Sequence, residues 1–187
     1  AESLVIQLNH PRGIQFKPDK PHRPDVHALF EETDFDPKKP IAAQSDRRMR
    51  ALDRSGRSLL DIDALEIVNR FSVEGWRRVR ADWFQLMNRG HRLTGTGNSD
   101  SHTSQLGPVG FPVNVVTVDP QRGHDGVLEG LRMGRVRVSN GPVVQLTVHG
   151  NGVDVTPSKV TQSLGARVMA VVDLKHADWV EVPEVRL

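Results

Sequence analysis

The sequence contains no cysteine and no tyrosine, and its aromatic side chains are limited to three Trp and six Phe. The absence of cysteine excludes both a disulfide framework and metal sites built from thiolates, although it does not identify the cellular compartment. Sparse aromatic residues also leave little material for the base-stacking surfaces of single-strand nucleic-acid binders.

Long hydrophobic runs and a strong charge of one sign are also missing. No apolar stretch approaches the roughly 20 residues that span a bilayer, so no membrane segment is expected. A formal net charge of +2 argues against a nucleic-acid partner. With 187 residues, 37% hydrophobic and 26% charged, the chain predicts a soluble globular piece long enough for one domain and part of another.

The residues best suited to bind a metal ion lie in the segment Gly97-Asn98-Ser99-Asp100-Ser101-His102. It follows Arg92-Leu93-Thr94, which predicts a short strand running into a glycine-rich turn. In extended backbone, Asp100 and His102 point to the same side and can bind one ion. A carboxylate with an imidazole suits Zn, Mn or Fe better than Ca or Mg. The alternative is an ordinary turn, capped by Asp100 and leaving His102 in solvent.

A third candidate ligand, His10, stands at the end of an apolar run that reads as a strand from residues 3 to 9. Pro11 keeps His10 out of helical backbone, so the imidazole is predicted where the strand gives way to a loop. A histidine satisfied within the core remains the alternative. Arg12 offers a fork of donors to a phosphate or other oxyanion, with a structural salt bridge as the other possibility.

Between these motifs the pattern predicts alternating strands and helices. Residues 62–68 read as a strand that carries Glu66, an acidic residue that is costly to bury unless it is paired. The residues alone favour a place for Glu66 against solvent or a structural arginine, and Asn69 stands at the end of the same strand. A proline-rich excursion over 17–57 is predicted to contain one helix, from Ile41 to about Asp53. The next predicted helix stops at Gly90, and its stripe of Trp76, Val79, Trp83 and Met87 is expected to pack in the core. The pattern then predicts a strand over 113–118, a helix over 126–133 and a strand over 135–138. His22 and His27 lie in the excursion and are expected in solvent.

Several motifs resemble, in order, the later motifs of the polymerase and histidinol phosphatase (PHP) superfamily, and most closely its CehA/McbA-type metallohydrolases. The resemblance covers about residues 3 to 150. Its motifs are Asn9-His10-Pro11-Arg12, Ala64-Leu65-Glu66-Ile67-Val68-Asn69, Gly97-Asn98-Ser99-Asp100-Ser101-His102, Gly130-Leu131-Arg132-Met133-Gly134-Arg135-Val136 and Ser139-Asn140-Gly141-Pro142.

The resemblance implies an α/β fold in which residues 1–141 form the C-terminal part of a distorted (β/α)7 PHP barrel, with 17–57 as a long insertion. PHP domains open with a His-x-His strand and carry further ligands before the Asn-His-Pro strand, and this chain has none of them. We therefore expect it to be the C-terminal part of a longer protein and to be inactive alone. Localisation, extracytoplasmic or otherwise, stays open.

Residues 142–187 change character. Short alternating or β-branched runs at 143–149, 166–174 and 179–185 are separated by Gly, Asn and Pro, which is typical of all-β structure. We expect a partial β-sandwich-like module. Its role is structural by default, and partner or carbohydrate binding is the alternative.

Taken with the resemblance, these motifs predict a metal-dependent hydrolase that cleaves phosphoester, ester or carbamate bonds of a small molecule. His10, Asp100 and His102 are the predicted ligands to two or three divalent ions, and Arg12 and Glu66 are the predicted catalytic residues. The resemblance favours a place for Glu66 near the metal pocket, facing the substrate rather than binding the ion, with Asn69 as a weaker candidate. The competing hypothesis is a non-catalytic PHP-like scaffold whose β-module binds a partner or carbohydrate. An accessory nucleic-acid module comes third, because the charge surplus is small.

Overall fold

The structure is a computed structural model, and it describes residues 4–13, 28–50, 56, 58–70, 73–102, 109–156, 158 and 163–185. Helices and small sheets are mixed along the chain, each accounting for 27% of it, so the chain belongs to the α/β class that the sequence predicts. The described residues form three separate small sheets, and they do not close into a barrel.

The strands are β1 Gln7–Leu8, β2 Ala64–Asn69, β3 Thr94–Asn98, β4 Val113–Val116, β5 Val136–Ser139, β6 Val143–Gly150, β7 Val153–Val155 and β8 Met169–Lys175. The α-helices are α1 Leu29–Glu32, α2 Arg47–Arg50, α3 Val73–Asn88 and α4 Gly123–Arg132, with single 3₁₀ turns at Ile41–Ala43 and Pro120–Arg122. Across the described part of the chain, no helix combines the length and the apolar content that crossing a membrane requires.

The first sheet is parallel and has the order β1-β2-β3. Its central strand β2 is buried from Ala64 to Ile67, as expected for a strand covered on both faces. Side chains alternate between the two faces, so Leu65 and Ile67 enter the hydrophobic core while Glu66 lies on the opposite face. Strand β2 thus supplies both the core and a buried carboxylate.

Helix α3 covers the core face of this sheet. Val79 and Leu86 are buried against Leu65 and Ile67. Trp83 is partly buried, and its indole Nε1 donates a hydrogen bond to the Leu93 carbonyl at 2.8 Å, which ties the helix to the segment leading into β3. The predicted packing stripe is therefore present in part, since Val79 lies in the core and Trp83 packs against it.

Glycines in β3 correct the prediction that a turn begins at Gly97. Thr94–Asn98 is itself a strand, and its glycines make room for close neighbours. A Cβ at Gly95 would lie 2.7 Å from Ile67 Cδ1, and one at Gly97 would collide with Val138 and Pro112. Steric demand across the strand, rather than turn geometry, explains these glycines.

The proline-rich excursion is also more structured than predicted where it is described. Phe30 and Met49 are fully buried in the core and Phe35 is nearly so, which anchors residues 28–50 to the sheet, while other residues of this segment are exposed. The helix predicted from Ile41 to Asp53 is instead a 3₁₀ turn followed by α2, because Gln44 is extended and breaks the helix. Residues 51–55 lie outside the described residues.

Strands β4 and β5 pair antiparallel, from Val113 opposite Ser139 to Val116 opposite Val136. The sequence predicts strands over 113–118 and 135–138, and both are present with somewhat different bounds; their relative direction was not predicted. Alternating apolar residues specify a strand but not its direction, so the pattern alone could not distinguish the two directions.

The C-terminal residues form an antiparallel sheet of order β7-β6-β8. Strands β6 and β8 match the predicted runs, whereas 179–185 forms no strand. Strand β7 was not predicted. It pairs with β6 through a hairpin turn at Asn151-Gly152, both with positive φ (50° and 72°), the conformation that Asn-Gly favours in two-residue hairpins.

A core substitution tests this packing. Leu65→Ala removes a fully buried side chain between β2 and α3, so we expect the free energy of unfolding to fall by about 2–5 kcal/mol. The control Leu59→Ala lies in an exposed turn and should change it by no more than about 0.5 kcal/mol. Urea unfolding followed by circular dichroism measures both, and equal losses would contradict the assigned core.

Candidate metal centre

The three parallel strands end at the same edge of the sheet, and each is followed by a residue in left-handed backbone. His10 follows β1 with φ 47°, Arg70 follows β2 with φ 51°, and Asp100 follows β3 with φ 47°. Non-glycine residues adopt this conformation at a cost of about 1–2 kcal/mol, and such strain concentrates at functional sites. Three strained residues on one edge single it out as the candidate site.

The three predicted ligands lie together at this edge. His10 Nε2 is 3.8 Å from Asp100 Oδ1, and His102 Nδ1 is 3.6 Å from the same oxygen. Asp100 is largely covered, whereas the two imidazoles are open to solvent, with His102 the more exposed. The residues converge despite being separated by 90 positions in the chain, and their role as ligands stays a prediction.

Glu66 is the buried anchor of the site. Only 2% of its side chain is exposed, and it accepts hydrogen bonds from the His10 backbone N–H at 2.7 Å and from Asn98 Nδ2 at 2.7 Å. Asn69 Nδ2 donates a longer bond at 3.3 Å. The carboxylate therefore holds the ends of β1 and β3 to β2 and maintains the left-handed backbone at His10. Glu66 thus lies beside His10 rather than against solvent or an arginine, and its role in a metal pocket stays a prediction.

The His10 ring is oriented by its Nδ1 atom, which lies 3.2 Å from Asn69 Nδ2 and 3.4 Å from Glu66 Oε2. With Asn69 Nδ2 as the donor, Nδ1 accepts the hydrogen bond and the neutral ring carries its proton on Nε2, the atom that faces Asp100 Oδ1. A metal ion on Nε2 would require the other tautomer, in which a carboxylate behind the ring, here Glu66, commonly accepts from Nδ1.

Arg70 is the residue of this site that the sequence motifs did not indicate. Its Nη2 donates to the Asp100 carbonyl at 2.8 Å, and it lies 3.1 Å from Asp100 Oδ2 and 3.0 Å from His102 Nδ1. A guanidinium therefore stands between two of the predicted ligands. The only signal in the sequence was its position directly after the strand motif that ends at Asn69.

Arg12 is engaged elsewhere. Its Nε and Nη2 donate to the two carboxylate oxygens of Asp82 at 2.6 and 3.1 Å, and Nη2 also reaches the Phe35 carbonyl at 3.1 Å. Both partners are mostly buried, and the guanidinium lies over the Phe30 ring. The geometry favours the structural salt bridge, which ties the loop after His10 to α3. Oxyanion binding by Arg12 stays a prediction.

His10, Asp100 and His102 are of the types that bind a divalent ion, but their positions fit such an ion only in part. As they are placed, no three His, Asp or Glu side chains among the described residues are arranged to hold a metal ion. A cavity of about 20 Å³, large enough for one water-sized group, is lined by His10, Glu66 and Asn69, but Asp100 and His102 do not line it, so it does not lie between the three predicted ligands. Asn69 Oδ1 is buried with no hydrogen-bond partner among the described residues, so an unused acceptor also lies at this site.

His22 and His27 lie outside the described residues. No protein-family model matches the chain, and no curated protein or solved structure matches it. Any assignment of function therefore rests on the motifs and on the geometry of this edge of the sheet.

The buried hydrogen bonds of Glu66 give a stability test. In Glu66→Gln an amide N–H₂ would face donors from His10, Asn69 or Asn98, so the free energy of unfolding should fall by about 1.5–3 kcal/mol. The control Glu74→Gln, exposed in the first turn of α3, should have little effect. Chemical denaturation measures the free energy of unfolding of both variants. If Glu66→Gln leaves it unchanged, Glu66 does not anchor the strand ends.

Arg70 gives a binding test. Because its positive charge lies against Asp100 and His102, Arg70→Met should raise the affinity of the protein for Zn²⁺ or Mn²⁺ by about tenfold. Arg77→Met, an exposed position on α3, is the matched control and should leave the affinity unchanged. Isothermal titration calorimetry measures both. Weaker metal binding by Arg70→Met would mean that Arg70 supports the ion rather than competing with it.

Proposed function

We propose that the chain contributes to a metal-dependent hydrolase of the PHP type, similar to the CehA/McbA metallohydrolases, that cleaves phosphoester or related ester and carbamate bonds. The observation that supports this best is the convergence of His10, Asp100 and His102 at the ends of parallel strands, with buried Glu66 behind His10. The order of the motifs along the chain is the second support.

In this proposal residues 1–141 belong to a distorted (β/α)7 barrel, of which β1, β2 and β3 are consecutive parallel strands, and 142–187 belong to a β-sandwich-like module. Sites in βα-barrels are built at the C-terminal ends of the strands. The candidate site occupies that position, because His10, Arg70 and Asp100 each follow the last residues of a strand.

His10, Asp100 and His102 would hold the ion, and a carboxylate with two imidazoles suits Zn, Mn or Fe. Two or three such ions, when bound, lower the pKa of water and polarise the bond to be cleaved. The resemblance implies that further ligands come from strands preceding the Asn-His-Pro motif. We therefore propose that the 187-residue chain alone binds metal weakly and turns over little substrate.

The protein's own side chains have distinct parts in this proposal. Glu66 orients the His10 ring and fixes its backbone. Arg70 has donors near Asp100 and His102, where a guanidinium stabilises the negative charge that develops on a phosphoryl or carbonyl oxygen during hydrolysis. Arg12 keeps the loop after His10 in place through Asp82.

One observation favours the second candidate function, a non-catalytic PHP-like scaffold whose β-module binds a partner or a carbohydrate. Arg70 already supplies a positive charge to Asp100 and His102, so the cluster is electrostatically paired through a side chain of the protein itself. A scaffold of this kind would bind no catalytic ion, and metal binding therefore separates the two functions.

Substitution of a predicted ligand tests the proposal. Asp100→Asn keeps the shape of the side chain but removes its charge, so the affinity for Zn²⁺ or Mn²⁺ should fall by at least about tenfold, and His102→Ala should act in the same direction. The control His124→Ala, exposed on α4, should change nothing. Metal content and calorimetry give the binding, and assays with bis(p-nitrophenyl) phosphate, p-nitrophenyl acetate and an aryl carbamate give any turnover.

If Asp100→Asn binds metal as well as the unsubstituted protein, the Ser-Asp-Ser-His segment is an ordinary turn and the scaffold becomes the better account. Full hydrolytic activity from the 187 residues would instead contradict the proposal that further ligands are needed.

A further inference from the structure

A second, much larger cavity lies beside the candidate metal centre. It encloses about 990 Å³ between α3, the sheet of β2 and β3, and the strands β5 and β6. That volume is at the upper end of the range for sites that bind small molecules. Much of its wall is apolar, including Trp76, Trp83, Met87 and Leu146. The helical stripe predicted as core packing is thus shared between the core and this cavity.

The same wall is positively charged. Arg70, Arg92, Arg135 and Arg137 line the cavity, and none of its lining residues in the described part of the chain is Asp or Glu. Arg70 is paired with Asp100, and Arg135 lies 3.7 Å from Glu129. The cavity therefore presents an apolar surface together with an excess of guanidinium groups.

Two of these guanidinium groups have an unused donor. The Nε atoms of Arg70 and Arg137 are buried and have no hydrogen-bond partner among the described residues. A buried donor without an acceptor destabilises a fold, and the penalty is larger for a charged group. Both arginines line the cavity, but these two Nε atoms have almost no accessible surface, so a ligand in the cavity could reach only the other guanidinium nitrogens. Arg137 also makes no ion pair with the described residues, so its charge is available to an anion.

We propose that this cavity binds a small amphipathic anion, with an aromatic or alkyl body against Trp76, Trp83 and Met87 and one carboxylate or phosphate accepting hydrogen bonds from Arg137. Charge complementarity selects an anion over a neutral ligand, because arginines and no described carboxylate line the cavity and Arg137 has no ion-pair partner among the described residues. The cavity shares only Arg70 with the candidate metal centre and needs no ion, so this inference does not depend on the proposed hydrolysis.

Titration of the metal-free protein, prepared with a chelator, tests the proposal. The probes are 2-naphthoate, 2-naphthyl phosphate and the neutral 2-naphthalenemethanol, and calorimetry together with tryptophan fluorescence reports binding. We expect one site per chain for the anions, with affinity at least about tenfold above that of the alcohol. The stronger of the two anions identifies the acid group that the cavity prefers.

Arg137→Gln should weaken binding of the anions by about tenfold and leave the alcohol unchanged. Arg77→Gln, exposed on α3, is the matched control and should bind all three probes as the unsubstituted protein does. Equal affinity for naphthoate and alcohol in the unsubstituted protein would overturn the proposal even if Arg137→Gln failed to fold. Binding of the anions that is unchanged in Arg137→Gln would also overturn the proposal. The same holds if the protein binds no probe and light scattering shows it to be a dimer, because a second copy of the chain would then occupy the cavity.

Discussion

The buried carboxylate of Glu66 is the interaction on which the candidate site depends. It lies between two neighbouring strands and accepts hydrogen bonds from the His10 backbone and from the Asn98 side chain, so one group holds the ends of β1, β2 and β3 together. Burying a carboxylate is costly unless its hydrogen bonds are made, and here both oxygens have donors. The strained backbone at His10 persists because this network holds it.

The same strand supports the site through its packing on the core face. Leu65 and Ile67 are locked against α3 on one face of β2, which leaves Glu66 little freedom on the other. The loop after His10 is held from two further directions. Arg12 bonds to Asp82 on α3, and the Pro11 carbonyl accepts a hydrogen bond from the Phe30 backbone N–H at 2.9 Å. Packing on the core face of β2 thus holds the hydrogen bonds of Glu66 on the opposite face in place, which the placement of functional groups requires.

Sequence patterns could predict those parts of the fold and site that depend on local chemistry. Pro11 lacks a backbone N–H, so a strand end near His10 could be anticipated, and the apolar run around Glu66 predicts a buried strand. The left-handed backbone at His10 (φ 47°) could not be anticipated, because a residue before proline favours extended backbone. Parallel strands then bring their carboxyl ends to one edge. Strand direction could not be read in the same way, so the antiparallel pairing of β4 and β5 was not anticipated. The glycines of β3 were predicted as part of a turn, whereas they are needed because Ile67 and Val138 leave no room for a Cβ.

Arg70 shows where sequence reasoning stops, because its pairing with Asp100 and His102 arises only when two strand ends meet. The central question is whether a metal ion or the Arg70 guanidinium balances the negative charge of Asp100 beside His10 and His102. A crystal structure of the protein soaked in Mn²⁺, with anomalous diffraction, answers it most directly. The account predicts anomalous density between His10 Nε2, Asp100 and His102, with the Arg70 guanidinium displaced from Asp100. Density elsewhere, or none, with Arg70 still paired to Asp100, would contradict it.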